Sequence, residues 1–274
     1  MATCHRPARR RTRLRRRVKA ETPGGLACRP ARTYGPSGGQ NQALAAGHPL
    51  KANVLPTWVV PVAFVIAAVA VGWRRAWAHS RHVITIAHEG GHAVGALASG
   101  RRLARIRLHS DTSGLSVTSG RPRGRGRVLT LCAGYITPSL LGLGASWLLV
   151  SELDTVVLVC AMALLAGMVL AIRNVFGFLS VGVCGAITLA ALLYGTSTVQ
   201  ASGASILTWF LLLGSSRAVW ELRHDWRRGQ GPTSDADQLA ALTHVPAVIW
   251  VGLFAVISLG ALGVGGRWLL LTPR

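Results

Sequence analysis

The apolar residues of this chain come in blocks too long and too unbroken for the surface helices of a soluble protein. They run over residues 55–72, 83–99, 128–150, 155–172, 175–194, 199–216 and 246–265. Crossing the roughly 30 Å hydrocarbon core of a bilayer takes about 20 consecutive apolar residues in a helix. Inside that core every backbone polar group must be satisfied within the span, which leaves helices or closed barrels. Only 14% of the residues are charged, against about a quarter in soluble domains. The reading is an all-α polytopic integral membrane protein of about seven transmembrane helices, multi-pass in the cell membrane. The sixth block is the weakest, since only "ILTWFLLLG" within it is strongly apolar.

A net charge of +21 would suggest nucleic acid, but its distribution argues otherwise. Residues 1–51 hold twelve Arg or Lys against one Glu. The tail 1–53 is expected to be disordered, because its Gly, Pro and polar residues cannot bury enough apolar surface to fold. It reads as an arm on anionic lipid, an organellar transit peptide or the product of a mis-assigned start codon. The membrane domain follows, 54–270. Its positive charge sits in short connections, where it encodes orientation. The insert 101–127 carries eight arginines and one acid, so it is assigned to the cytoplasm, with "SELD" (151–154) outside. Alternation then puts the amino terminus and the loop 217–245 in the cytoplasm, while Arg74, Arg75 and Arg81 fall on the opposite side. Anionic lipid is the expected partner of the basic tail and loops. No specific nucleic-acid partner is expected, since no folded binding module or interleaved aromatics accompany the charge. Five cysteines without a CxxC pair suggest neither a disulfide framework nor a thiolate metal site.

Within the second block, "TIAHEGGHAV" (85–94) places three polar side chains within five residues. His88, Glu89 and His92 spell H-E-x-x-H. Residues four apart share a helix face, so both imidazoles can bind one metal ion. Glu89 beside them can take a proton from water activated by that ion. Zn2+ suits the set, because it accepts imidazole nitrogen in a four-ligand shell and leaves a position for water. An acid at the centre of a span costs about 2.5–3.5 kcal/mol on insertion scales and so marks function. Glu89 is the one acid in the seven blocks. Gly91-x-x-x-Gly95 also fits a close contact between membrane helices.

In the arginine-rich insert, "RIRLH" and "LSVTS" flank "SDTSG", a polar turn-forming segment. Their alternation predicts a small cytoplasmic β-hairpin. An exposed strand edge beside the site could hold a substrate in extended form. A mere polar connection is the competing reading.

"HEGGH" in a membrane span, followed by "SDTSGLSVTSG" and "LCAGYITPSLLGL", resembles the site-2 protease type of intramembrane zinc metalloprotease, in its compact bacterial H-E-x-G-H branch. The resemblance implies zinc-dependent hydrolysis of peptide bonds in membrane-embedded substrates, a single-span membrane protein being the expected partner. It implies His88 and His92 as zinc ligands, Glu89 as general base, and a distant aspartate as third ligand.

The family's usual third-ligand segment, an Asn-Pro and Leu-Asp-Gly pattern, is absent, and no Asp-Gly dipeptide occurs. Asp154 lies on the outer side of the predicted topology and Asp111 in the predicted turn. Asp225, Asp235 and Asp237 lie in the loop 217–245, on the side of His92. Asp235 in "PTSDADQLAAL" is the preferred ligand, with Asp237 next. Ser234 followed by Asp237 also reads as a helix cap, the two roles being compatible. Asn174 in "RNVFG" is a candidate for holding the substrate carbonyl. His224 and His244 read as interfacial residues. An inactive relative that binds membrane partners, or a metal transporter, would share parts of this pattern; transport is disfavoured because a single block carries the polar groups.

Overall fold

The structure is a computed structural model, described here for residues 57–109, 114–228 and 234–272. The arginine-rich tail 1–53, and Asp111 in the predicted turn, lie outside these residues. The elements in chain order are α1 (Val59–Gly72), α2 (Arg74–Ser80), α3 (His82–Ala98), β1 (Arg102–Leu108), β2 (Gly114–Ser119), α4 (Arg125–Val150), α5 (Asp154–Ala171), α6 (Val175–Tyr194), α7 (Ser197–Arg227), α8 (Asp235–Thr243) and α9 (Ala247–Leu271).

A polytopic helical membrane protein with a small β-hairpin is what the chain forms, but the expected seven spans reduce to fewer. Among the described residues, α4, α5, α6 and α9 are long and apolar enough to cross a bilayer. A fifth crossing exists only if α1 together with the α2–α3 arm, bent from it by 95°, is taken as one broken span. The blocks at 55–72 and 83–99 are therefore not two separate spans. At 14 residues, α1 reaches only about 21 Å, and α3 dilutes its apolar residues with His88, Glu89 and His92. The block at 199–216 belongs to α7, whose 31 residues are long enough but too rich in Gly, Ser and charge. Such a helix is stable because it lies inside: Trp209, Leu212, Ala204 and Thr208 are almost fully buried. Large apolar side chains are instead exposed on the outer helices, among them Leu170, Val175, Ile187 and Val256, as a lipid-facing surface requires.

Helices α4 and α7 form the centre, packed on each other and on α9, with α3 against α4 and α1 against α7. The α3–α4 contact is close because small residues line it. A Cβ built on Gly91 would stand 2.5 Å from the Ala133 carbonyl oxygen and 2.7 Å from Thr137 Oγ1. One on Gly95 would stand 2.8 Å from Ala133 Cβ. This is the small-residue approach expected of Gly91-x-x-x-Gly95.

The bend between α1 and α3 is held by charge. Glu221 on α7 accepts from Trp77 Nε1 at 2.7 Å and from Arg217 Nε at 3.2 Å, with Arg81 at 3.8 Å. The Arg217 guanidinium stacks over the Trp77 ring and also donates to the Val71 carbonyl at the end of α1. Arg81, on the wrong side of the predicted topology, thus has a partner that only the fold brings to it.

The two strands pair antiparallel from Arg102 with Ser119 to Leu108 with Gly114, with an irregularity between Leu103 and Arg105. The alternation buries Ile106 and Leu108 against Met168, Ile172 and Val181. The second edge of β1 is covered by the α5–α6 connection: Arg173 N–H donates to the Ile106 carbonyl at 3.0 Å, and Ile106 bridges Ile172 in parallel.

Candidate metal centre

Helical spacing puts His88 and His92 on one face of α3, with their Nε2 atoms 3.0 Å apart. The aspartate comes from more than 140 residues away in sequence. Ser234 caps α8: its hydroxyl accepts from the Asp237 amide at 3.2 Å and donates to the Asp237 carboxylate at 2.6 Å. That cap turns Asp235, the first residue of the helix, towards the histidines. Its Oδ2 lies 3.2 Å from each Nε2. The paired aspartates thus divide the work, Asp237 serving the helix terminus and Asp235 joining the imidazoles.

The three donor atoms fit a metal ion. Ligands 2.0–2.1 Å from a tetrahedral centre stand about 3.3 Å from one another, and the spacings here are 3.0, 3.2 and 3.2 Å. Among the described residues, His88, His92 and Asp235 form the group able to hold a metal ion. Residues of α4 prepare the donors. The Thr130 carbonyl lies 2.8 Å from His92 Nδ1 in a buried contact. A carbonyl only accepts, so Nδ1 carries the proton and Nε2 presents its lone pair to the site. Tyr135 meets His88 edge-on with ring centroids 4.6 Å apart, and is itself stacked on Phe254 at 5.2 Å. Gly134 leaves room for both rings, since a Cβ there would fall 2.5 Å from His92 Cε1 and 2.8 Å from His88 Cε1. Burial opposes the charge on Asp235, but the imidazoles of His92 and His88 outweigh it and hold its carboxyl below the usual carboxylate range.

Glu89 is 3% exposed and faces the hairpin. Ser116 Oγ on β2 donates to its Oε2 at 2.5 Å. The backbone of Gly114 lies close against the same carboxylate, so that a Cβ there would stand 2.6 Å from Glu89 Cγ and Cδ. The arginines of the insert brace this arrangement. Arg127, near the start of α4, donates to Gln238 on α8 at 2.7 Å and reaches Thr118 on β2 at 3.5 Å. It thereby links the helix that carries Asp235 to the strand that touches Glu89.

Asn174 is not one of the three metal-binding residues but holds the strand beside them. Its Nδ2 donates to the Leu108 carbonyl at 2.5 Å, and its Oδ1 accepts from the Leu108 amide at 3.2 Å, so both ends of the amide are engaged by β1. His224 stacks on Trp220, Asp225 lies beside His224, Asp154 opens α5, and His244 closes α8 in a left-handed conformation. Sequence reasoning passed over Thr130, Gly134, Tyr135 and Ser116. The first acts through its backbone and the second through what it lacks, and neither leaves a residue-type signal. Ser116 did leave one: positions 114, 116 and 118 alternate with Leu115 and Val117, so the polar face of β2 had to meet something.

The family model described as Peptidase M50B-like matches residues 61–265, well over half of the chain. The chain belongs to the peptidase M50B-like family. No curated protein and no solved structure matches it. In this site-2 protease-like family the H-E-x-x-H helix and the joined aspartate are the expected metal-binding parts, and here they meet. The peptidase M50B-like chain is a membrane metalloprotease by family and by the donor cluster it assembles.

Proposed function

We propose that the ion is zinc and that the protein is an intramembrane endopeptidase cutting membrane-embedded substrates, with His88, His92 and Asp235 as ligands and Glu89 as general base. The observation that carries this reading is the convergence of two imidazole nitrogens and one carboxylate oxygen at tetrahedral spacing, a donor set that suits Zn2+ and leaves a fourth position open. When bound, such an ion supplies Lewis-acid polarisation of a scissile carbonyl and of water.

The remaining chemistry belongs to the chain. Glu89 takes the proton of the attacking water and returns it to the leaving amine. Thr130 keeps His92 in the tautomer that leaves Nε2 free. Among the described residues, β2 has a strand partner on one edge only. An extended substrate segment adding along the other edge would pass Glu89, which matters because a peptide bond inside a helix is sheltered by its own hydrogen bonds. Asn174 serves by fixing Leu108, and with it the hairpin, although a remaining N–H of its amide could still reach a substrate carbonyl. The substrate fitting this reading is a single-span membrane protein. Anionic lipid meets the exposed arginines, and a cytoplasmic amino terminus goes with α1 and α3 forming a re-entrant pair that returns to the side of the insert.

The test is zinc per chain in detergent-purified protein, followed by cleavage of a co-expressed single-span reporter. About one zinc in the wild type, lost in His88→Ala/His92→Ala and reduced in Asp235→Ala, supports the site. Cleavage abolished by Glu89→Gln with zinc retained supports the base. A folded wild type without metal would favour a non-catalytic scaffold.

A further inference from the structure

The geometry points to Ser116, on the hairpin, as the residue that positions Glu89. This rests on the reading of Glu89 as general base. A glutamate side chain has three rotatable torsions, and on α3 nothing local fixes where its carboxylate points. Ser116 supplies the fix: its hydroxyl donates to Oε2 at 2.5 Å and lies 3.3 Å from the Glu89 backbone carbonyl. Oε2 is thereby committed to Ser116, while Oε1 lies against the Gly114 backbone. Gly114 completes the seat by bringing bare backbone against the carboxylate. A Cβ at this position would run into the carboxylate itself.

The hairpin is in turn tied down at three points outside the three metal-binding side chains. Asn174 holds Leu108 by both backbone groups. Arg173 and Ile172 pair with Ile106, and Arg127 and Arg101 reach Thr118. A strand that merely connected two helices would not need this anchoring. Its polar face, Gly114, Ser116 and Thr118, is turned inward, while Leu115 on the other face is exposed. On that inward face Ser116 and Gly114 stand opposite the buried Ile106 and Leu108, so β1 supplies the apolar packing and β2 the polar contact with Glu89. The insert is thus a rigid arm that sets the carboxylate of the base, and Ser116 is its contact point.

The experiment uses full-length protein in detergent, with fluorescently quenched β-casein as an unfolded probe. Ser116→Ala is expected to lower kcat by about 10–100-fold, the usual scale for a lost supporting partner in a metal site. KM should stay within about twofold, and the zinc content should not change. Ser116→Thr, which keeps the hydroxyl, should restore most of the rate, and Gly114→Ala should lower kcat in the same way. A rate for Ser116→Ala equal to or above that of the wild type would overturn the proposal, the latter because it would make the contact a restraint on the base. A second measurement stands apart from turnover. The carboxylate stretch of Glu89, isolated in infrared difference spectra against Glu89→Gln, should shift in Ser116→Ala and return in Ser116→Thr. If the wild type cleaves nothing, the peptidase reading fails, and the positioning of Glu89 is decided by that band. A band unmoved by Ser116→Ala sinks it.

Discussion

Replacing Gly134 by alanine should cripple the metal centre of this protein while leaving α4 at least as good a helix as before. The added Cβ would lie 2.5 Å from His92 Cε1, 2.6 Å from His92 Nε2 and 2.8 Å from His88 Cε1. Carbon atoms at rest stand about 3.5 Å or more apart, so the two rings must retreat by about 0.7–1 Å, or α3 must move off α4 by as much. Retreat is blocked on the far sides. His92 is held by the Thr130 carbonyl, His88 packs on Tyr135, and Gly91 already brings α3 against the Ala133 backbone. Working sites tolerate errors of about 0.5 Å in their first contacts, and a displacement near 1 Å can cost about a hundredfold. Against this, alanine is favoured over glycine in a helix interior by about 1 kcal/mol. The two effects therefore read out separately. Zinc affinity, measured by competition with a chromophoric chelator, should fall by about a hundredfold, with helical circular dichroism retained and melting temperature lowered only slightly, since about 1 kcal/mol of helix propensity offsets most of an overpacking cost of about 1–3 kcal/mol. Gly144→Ala, on the same helix with nothing within 4 Å of its Cβ position, is the control and should leave affinity untouched. Wild-type affinity in Gly134→Ala would refute the claim that α4 sets the spacing of the two imidazoles.

Neighbouring glycines should part company in the same way: Gly91→Ala meets backbone at 2.5 Å and should cost about 1–3 kcal/mol by overpacking. Gly90→Ala, facing Met168 Sδ at 3.5 Å, should be near neutral, and equal melting temperatures for the two would contradict the α3–α4 packing. Arg127→Met removes the link from Gln238 to Thr118 and should weaken zinc binding about tenfold by loosening α8; unchanged affinity would show that Asp235 needs no such brace. Because the Asp235 carboxyl is held below its ordinary value near 3.9, its contribution is fully present above about pH 4 and is lost only as pH falls through the lowered value. Acid release of zinc must then begin before Asp235 is protonated, because a liganding imidazole has to be without its proton to bind the ion. Metal content should fall on acidification while the Asp235 carboxylate is still charged, with protons taken up as the ion leaves, and full retention down to about pH 4 would show that histidines are not the ligands.

The membrane character of this chain and the helix that carries His88, Glu89 and His92 are fixed by short-range chemistry: apolar blocks on the one hand, a four-residue spacing on the other. The hairpin is equally local, written in the alternation of "RIRLH" and "LSVTS" around a turn. What the blocks did not determine was how many of them cross. Two are arms of a corner pinned by Glu221, Trp77 and Arg217, and one is the interior helix α7, which the other helices shield and which need not be greasy itself. Hydropathy reports the solvent a segment can tolerate, and a segment surrounded by protein is subject to a different test. The sequence preferred Asp235 to Asp237 as the ligand but held no geometry to separate them, because a cap and a ligand draw on the same residue type two positions apart. It took the direction of α8 as it packs on α4 to separate them. Thr130, Gly134 and Ser116 act on the site through a carbonyl, an absent side chain and a cross-strand hydroxyl. Such roles depend on which backbone lies within 3 Å of which ring or carboxylate, and that distance is set by the tertiary structure alone.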